Sequence, residues 1–85
     1  MNEITILDYG YGNLFSISSA ITELGYTPVC SKSTELVLKS KIIILPGVGS
    51  FKQAMHAIKR LKLDIAIKQA LAKGSKLIGI CLGYQ

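Results

Sequence analysis

Three features of this 85-residue sequence predict an α/β fold, a mostly parallel β-sheet with helices on both faces. Short strand-like runs alternate with segments whose apolar residues recur at helical spacing. The run Lys41-Ile42-Ile43-Ile44-Leu45 is nearly continuous in apolar residues, as a strand covered on both faces demands. The connections are short, and such alternation builds right-handed strand–helix–strand units in three layers.

Glu3 to Asp8 is a short strand with β-branched residues, and Tyr9 to Asn13 a glycine-rich turn. Leu14, Ile17, Ile21 and Leu24 then predict a helix, with Asn13 as its N-cap and Gly25 as its stop. Thr27 to Ser31 reads as a second strand, and Pro28 assigns it to a sheet edge, where a missing N–H is tolerated. Thr34 caps a short helical turn through Lys39. Lys41 to Leu45 is the third strand, ended by Pro46 and Gly47. Phe51, Met55 and Ile58 mark one helical stripe. Asp64 is expected to cap a further helix with Ile65, Ala66, Ala70 and Leu71 on its apolar side, closed by Gly74. Lys76 to Cys81 is the fourth strand. No internal repeat and no low-complexity segment interrupts the pattern.

The length suits one small domain, residues 1–85. With 49% hydrophobic and 18% charged residues the composition is globular rather than disordered. The longest unbroken apolar run, Ile42 to Leu45, is too short to span a bilayer. The N-terminus lacks the basic and apolar regions of a signal peptide, so a cytoplasmic location with Cys30 and Cys81 as free thiols is expected. Net charge is +5, but Lys52, Lys59, Arg60, Lys62, Lys68, Lys73 and Lys76 fall mostly on polar helix faces without interleaved aromatics. That pattern suits a solvated face or a protein-docking surface better than nucleic acid. Two cysteines and one histidine are not at metal-ligand spacing, and no cofactor is expected.

In such folds ligands bind beyond the carboxyl ends of the strands, where three loops should converge. The first carries Gly10-Tyr11-Gly12, which opens like a dinucleotide fingerprint. Phe15 stands where its third glycine belongs, and no acidic residue ends the second strand, so a tight turn is the better reading. The third loop is Gly79-Ile80-Cys81-Leu82-Gly83, the thiol form of a nucleophile elbow. Glycines flank the cysteine because the turn is strained and packs closely on itself. The N–H of Leu82 can then point at an oxyanion, and a following helix would favour the thiolate. The plain alternative is a buried structural cysteine. Between these lies Pro46-Gly47-Val48-Gly49-Ser50, a loop able to present a second N–H to an oxyanion, or a plain strand-to-helix turn. His56 sits on a helix away from the strand ends, a poor place for a catalytic base. Cys30 reads as a core or edge thiol. Tyr9, Tyr11 and Tyr84 stand in the site loops, where they can line a pocket or an interface.

Three segments, "LDYGYGNLFSI", "ILPGVGSF" and "GICLGYQ", resemble the N-terminal part of class I (triad-type) glutamine amidotransferase domains, a flavodoxin-like three-layer fold. The resemblance covers the whole chain. More narrowly it extends to the glutaminase subunits of imidazole glycerol phosphate synthases, because related amidotransferases often carry Pro-Gly-Gly where this chain has Pro46-Gly47-Val48-Gly49. It implies that Cys81 attacks the side-chain amide of glutamine, forming a γ-glutamyl thioester and releasing ammonia. The N–H of Leu82 and one from the Gly47–Gly49 loop, that of Val48 or Gly49, would hold the oxyanion. Gly47 and Gln85 match substrate-binding positions, and Asn13 and Tyr11 lie toward the partner. That partner would be a cyclase subunit with a (β/α)8 barrel, forming a heterodimer that passes ammonia internally in histidine biosynthesis.

The same resemblance calls for a histidine base and an orienting glutamate that belong to a later segment. A thiol without a base in hydrogen-bond reach is a poor hydrolytic catalyst. These 85 residues are therefore expected to be the front part of a larger domain and inactive alone. The fourth strand is expected to expose an apolar edge. Two alternatives stand beside the main reading: an amidotransferase subunit for another pathway, such as surface-polysaccharide amidation, and a non-catalytic flavodoxin-like interaction module.

Overall fold

The structure is a computed structural model that describes residues 3–10, 12–47 and 51–80. Its elements run β1 (Glu3–Leu7), α1 (Leu14–Glu23), β2 (Thr27–Ser31), α2 (Thr34–Lys39), β3 (Ile42–Pro46), α3 (Phe51–Arg60), α4 (Leu63–Ala72) and β4 (Lys76–Ile80). The strands pair in parallel in the order β2-β1-β3-β4. β2, the strand with Pro28, lies at an edge as expected.

Residues alternate between two faces along each central strand, and each face has its own core. Ile4 and Ile6 of β1 and Ile44 of β3 pack with Ile17 and Ile21 of α1. Leu7 and Ile43 project to the other face, with Tyr9 two residues beyond Leu7. They meet Val37 of α2, Ala54, Ala57 and Ile58 of α3, and Leu63, Ala66, Ile67 and Ala70 of α4. A buried isoleucine or leucine contributes roughly 1.5–3 kcal/mol relative to exposure, so β1 and β3 are anchored from both sides. The chain travels one way along the sheet from β1 to β2 with α1 on one face. It travels the other way from β2 to β3 and β4 with α2, α3 and α4 on the opposite face. Reversing direction and face together is what a single crossover handedness requires.

Helix ends follow the sequence closely. Asn13 Oδ1 accepts the Ser16 N–H at 3.1 Å. Gly25 and Gly74, at φ +96° and +104°, close α1 and α4. In each case the next residue reaches back into the last turn, Tyr26 N–H to Ile21 O at 3.1 Å and Ser75 N–H to Ala70 O at 3.0 Å. Toward the amino end of the sheet, Thr5 of β1 is buried. Ser40 Oγ donates to Leu36 O at 2.7 Å, which leaves the Thr5 hydroxyl to donate to Ser40 Oγ at 2.5 Å. Ser75 Oγ donates to Ser40 O, also at 2.5 Å.

Several expectations shift. Ser33, not Thr34, caps α2, its Oγ accepting the Leu36 N–H at 3.3 Å. α4 begins at Leu63 after Lys62, which turns the chain at φ 61° with no side-chain cap. Asp64 instead stands in the first turn, where a carboxylate complements the helix dipole. The buried stripe of α4 is Leu63, Ala66, Ile67 and Ala70, a clean i, i+3, i+4, i+7 set. Ile65 and Leu71 lie outside it, 56% and 41% exposed. Leu24 is likewise exposed, because it is the C-cap and not a member of the α1 stripe. On α3 the buried residues are Ala54, Ala57 and Ile58, with Met55 half-buried. Pro46 belongs to β3, paired in register with Ile80. Leu77 and Ile78 on β4 are exposed.

Candidate active site

The strand order changes direction between β1 and β3, and in folds of this kind ligands bind beyond the carboxyl ends of the two strands that flank such a switch point. The loop after β1 and the exit of β3 meet at this place. Gly12 has φ +96°, and a Cβ built on it would collide with Cβ of Pro46. The first loop therefore lies directly against the last residue of β3, an approach that only a residue without a side chain permits. Tyr9 is buried at 3% exposure, and its hydroxyl donates to the Pro46 carbonyl oxygen. Gly47 follows Pro46 at once and is half-buried.

β4 brings the third motif to the same end. Pro46 and Ile80 are register partners, one strand spacing apart, about 4.8 Å. The described parts of the two motifs, Pro46-Gly47 and Gly79-Ile80, thus lie at the ends of adjacent parallel strands. Of the expected site residues, the structure places Gly47 at the exit of β3 and Asn13 at the start of α1. Cys81, Leu82, Val48, Gly49, Gln85 and Tyr11 lie outside the described residues.

The remaining candidates stand apart. His56 is exposed on α3 beside Lys52, Met55 and Lys59. Cys30 is an exposed free thiol on the edge strand, 3.5 Å from Ser18 Oγ. Lys52, Lys59, Arg60, Lys62, Lys68, Lys73 and Lys76 are all exposed. Among the described residues there is no group of three metal-ligating side chains, and no helix is long and apolar enough to cross a membrane.

Sequence reasoning missed the tie between Tyr9 and Pro46. The signal was present in the alternation: Tyr9 lies two residues after Leu7, hence on the same core-facing side. Read that way, Tyr9 is a core residue with a polar tip, and such a tip must find a partner.

The sequence pattern of the family described as glutamine amidotransferase class-I matches residues 5–85. Imidazole glycerol phosphate synthase subunit HisH of Bacillus velezensis is 48% identical over 82 residues, covering 96% of this chain and 39% of the relative. The protein of that name from a Staphylococcus aureus strain is 49% identical over 82 residues, 96% of this chain and 42% of its own. The one from Geobacillus thermodenitrificans is 44% identical over 85 residues, 100% and 40% respectively. The chain thus spans about two-fifths of the length of these curated relatives. A parallel sheet with helices on both faces, a glycine-lined switch point and a family pattern running from β1 to the last residue agree, and the chain belongs to the class-I glutamine amidotransferases.

Proposed function

We propose that the protein is the glutaminase subunit of an imidazole glycerol phosphate synthase. It hydrolyses glutamine to glutamate and passes the ammonia to a cyclase partner, a separate (β/α)8-barrel subunit in a cytoplasmic heterodimer. The observation that supports this reading is the Pro46–Ile80 register pair, which ends two adjacent parallel strands at the residues where the "PGVG" and "GICLG" sequences begin their turns. The names of the relatives at 44–49% identity support the assignment to an imidazole glycerol phosphate synthase.

In this reading the Cys81 thiolate attacks the carboxamide carbon of glutamine. The tetrahedral oxyanion is held by the Leu82 N–H and by that of Val48 or Gly49. Collapse expels the amide nitrogen, protonated by the base, as ammonia and leaves a γ-glutamyl thioester. Water then cleaves the thioester to glutamate and restores the thiol. Gly47 and Gln85 line the substrate, while Asn13 and Tyr11 face the partner. The base and its orienting glutamate are assigned outside these 85 residues, because the single histidine is exposed on α3. The 85-residue chain by itself is accordingly inactive.

The test is glutamate formation by the full-length subunit assembled with its cyclase. Cys81→Ser should lower kcat by at least about 10³-fold, the scale on which removing a nucleophile acts. Glutamine hydrolysis that survives the substitution would refute the assignment. Hydrolysis without transfer of nitrogen to the ribulosyl-formimino acceptor would move the subunit to another amidation pathway.

A further inference from the structure

The structure assigns Tyr9 a role beyond filling the core: its hydroxyl, bonded to the Pro46 carbonyl, fixes the last peptide of β3, from which the chain enters the segment proposed to supply an oxyanion N–H. This rests on the function proposed above and adds a positioning residue to it.

Tyr9 is 3% exposed, and its ring packs in the cluster of Leu7, Ile43 and the helices of that face. Its hydroxyl reaches out of this apolar setting to an acceptor 37 residues away, Pro46 O. The peptide joining Pro46 to Gly47 is planar, so its carbonyl and the Gly47 N–H point in opposite directions. A phenol that fixes the carbonyl therefore also fixes the Gly47 N–H. Pro46 has no N–H of its own to give the sheet, so its carbonyl is the polar backbone handle on that residue. Gly12 closes the arrangement from a second side, with its Cα face against Pro46. The end of β3 is thus held by the first loop at two points, one polar and one steric.

Donors around an oxyanion act through placement, and a displacement near 1 Å can change a rate by about 10²-fold. The Pro46 carbonyl is engaged by a buried phenol, so loosening it should alter the transition state more than glutamine binding.

The experiment compares Tyr9→Phe with wild type in the full-length subunit saturated with cyclase. The substitution keeps the ring and removes only the hydroxyl. The expected result is a fall in kcat of about 10-fold with KM for glutamine within about 2-fold. Alkylation of Cys81 by iodoacetamide, which needs no oxyanion hole, should proceed at the wild-type rate. Gly12→Ala, which pushes Pro46 from the other side without touching the phenol, should give the same split. Wild-type kcat in both variants, or a joint loss of kcat, KM and alkylation that tracks loss of folded protein, overturns the positioning role. A wild-type subunit that hydrolyses no glutamine overturns the function itself, and the two failures are thereby distinguished.

Discussion

Replacing Gly12 by alanine asks how tightly the first loop is seated on β3. Two penalties combine. The residue sits at φ +96°, where an L side chain costs roughly 1–2 kcal/mol. The new methyl would also collide with Cβ of Pro46, a buried residue, and forcing an extra carbon into packed structure costs about 1–3 kcal/mol. Alanine returns about 0.4–1 kcal/mol by restricting the unfolded chain. The net is a loss of about 3 kcal/mol. Gly10 is the internal control: its φ is +100°, but an added Cβ meets no heavy atom within 4 Å. Gly10→Ala should therefore lose only about 1 kcal/mol, the backbone penalty alone. Urea unfolding of the full-length subunit followed by circular dichroism reads the difference. With a slope near 2 kcal/mol/M, the midpoints should fall by about 1.5 M and about 0.5 M respectively. Equal shifts would show that Gly12 does not bear on Pro46, and would remove the steric half of the proposed tie between the first loop and β3.

Two further substitutions test the helix ends. Asn13→Ala removes the acceptor of the Ser16 N–H and should cost about 1 kcal/mol, while Asn13→Asp should keep most of that stability; identical losses in both would assign the effect to something other than the cap. Lys62→Gly relieves the left-handed turn between α3 and α4 at φ 61°, partly offset by the greater freedom of glycine in the unfolded chain. It should raise Tm by about 1–2 °C, and a fall in Tm would show that the Lys62 side chain stabilises the turn.

Local rules made most of the fold legible because they act within a few residues. Asn13, Gly25 and Gly74 announce helix ends through their own backbone needs, and Pro28 announces an edge strand through a missing donor. What local rules could not decide was which of several apolar residues faces inward. In Leu63-Asp64-Ile65-Ala66-Ile67, either Leu63 or Ile65 can open a stripe. The choice belongs to the connection: Lys62 turns the chain so that Leu63 is already in the helix and fully buried, which carries Ile65 to the outside. Thr34 and Ser33 posed the same ambiguity of one residue at α2, and the side chain that reaches the Leu36 N–H settles it.

The site was legible in a different sense. Its three motifs could be placed at strand ends from sequence, yet their adjacency depends on sheet order, which no single segment encodes. The sequential order β1, β2, β3 becomes β2-β1-β3 in space, and only that exchange puts the first loop against Pro46. The glycines show the consequence. Gly25 and Gly74 have positive φ and open space around an added Cβ, so the backbone of their own helix end explains them. Gly12 has the same φ but faces another strand, so half of its requirement comes from a residue 34 positions away. A turn rule treats the three alike. The distinction lies in long-range packing, and it falls at the one glycine of the three that borders the candidate site. The Thr5, Ser40 and Ser75 hydroxyls tie β1, β3 and β4 at the opposite, amino end. Among the described residues, the carboxyl end is tied instead by the approach of Gly12 to Pro46 and by the Tyr9 phenol.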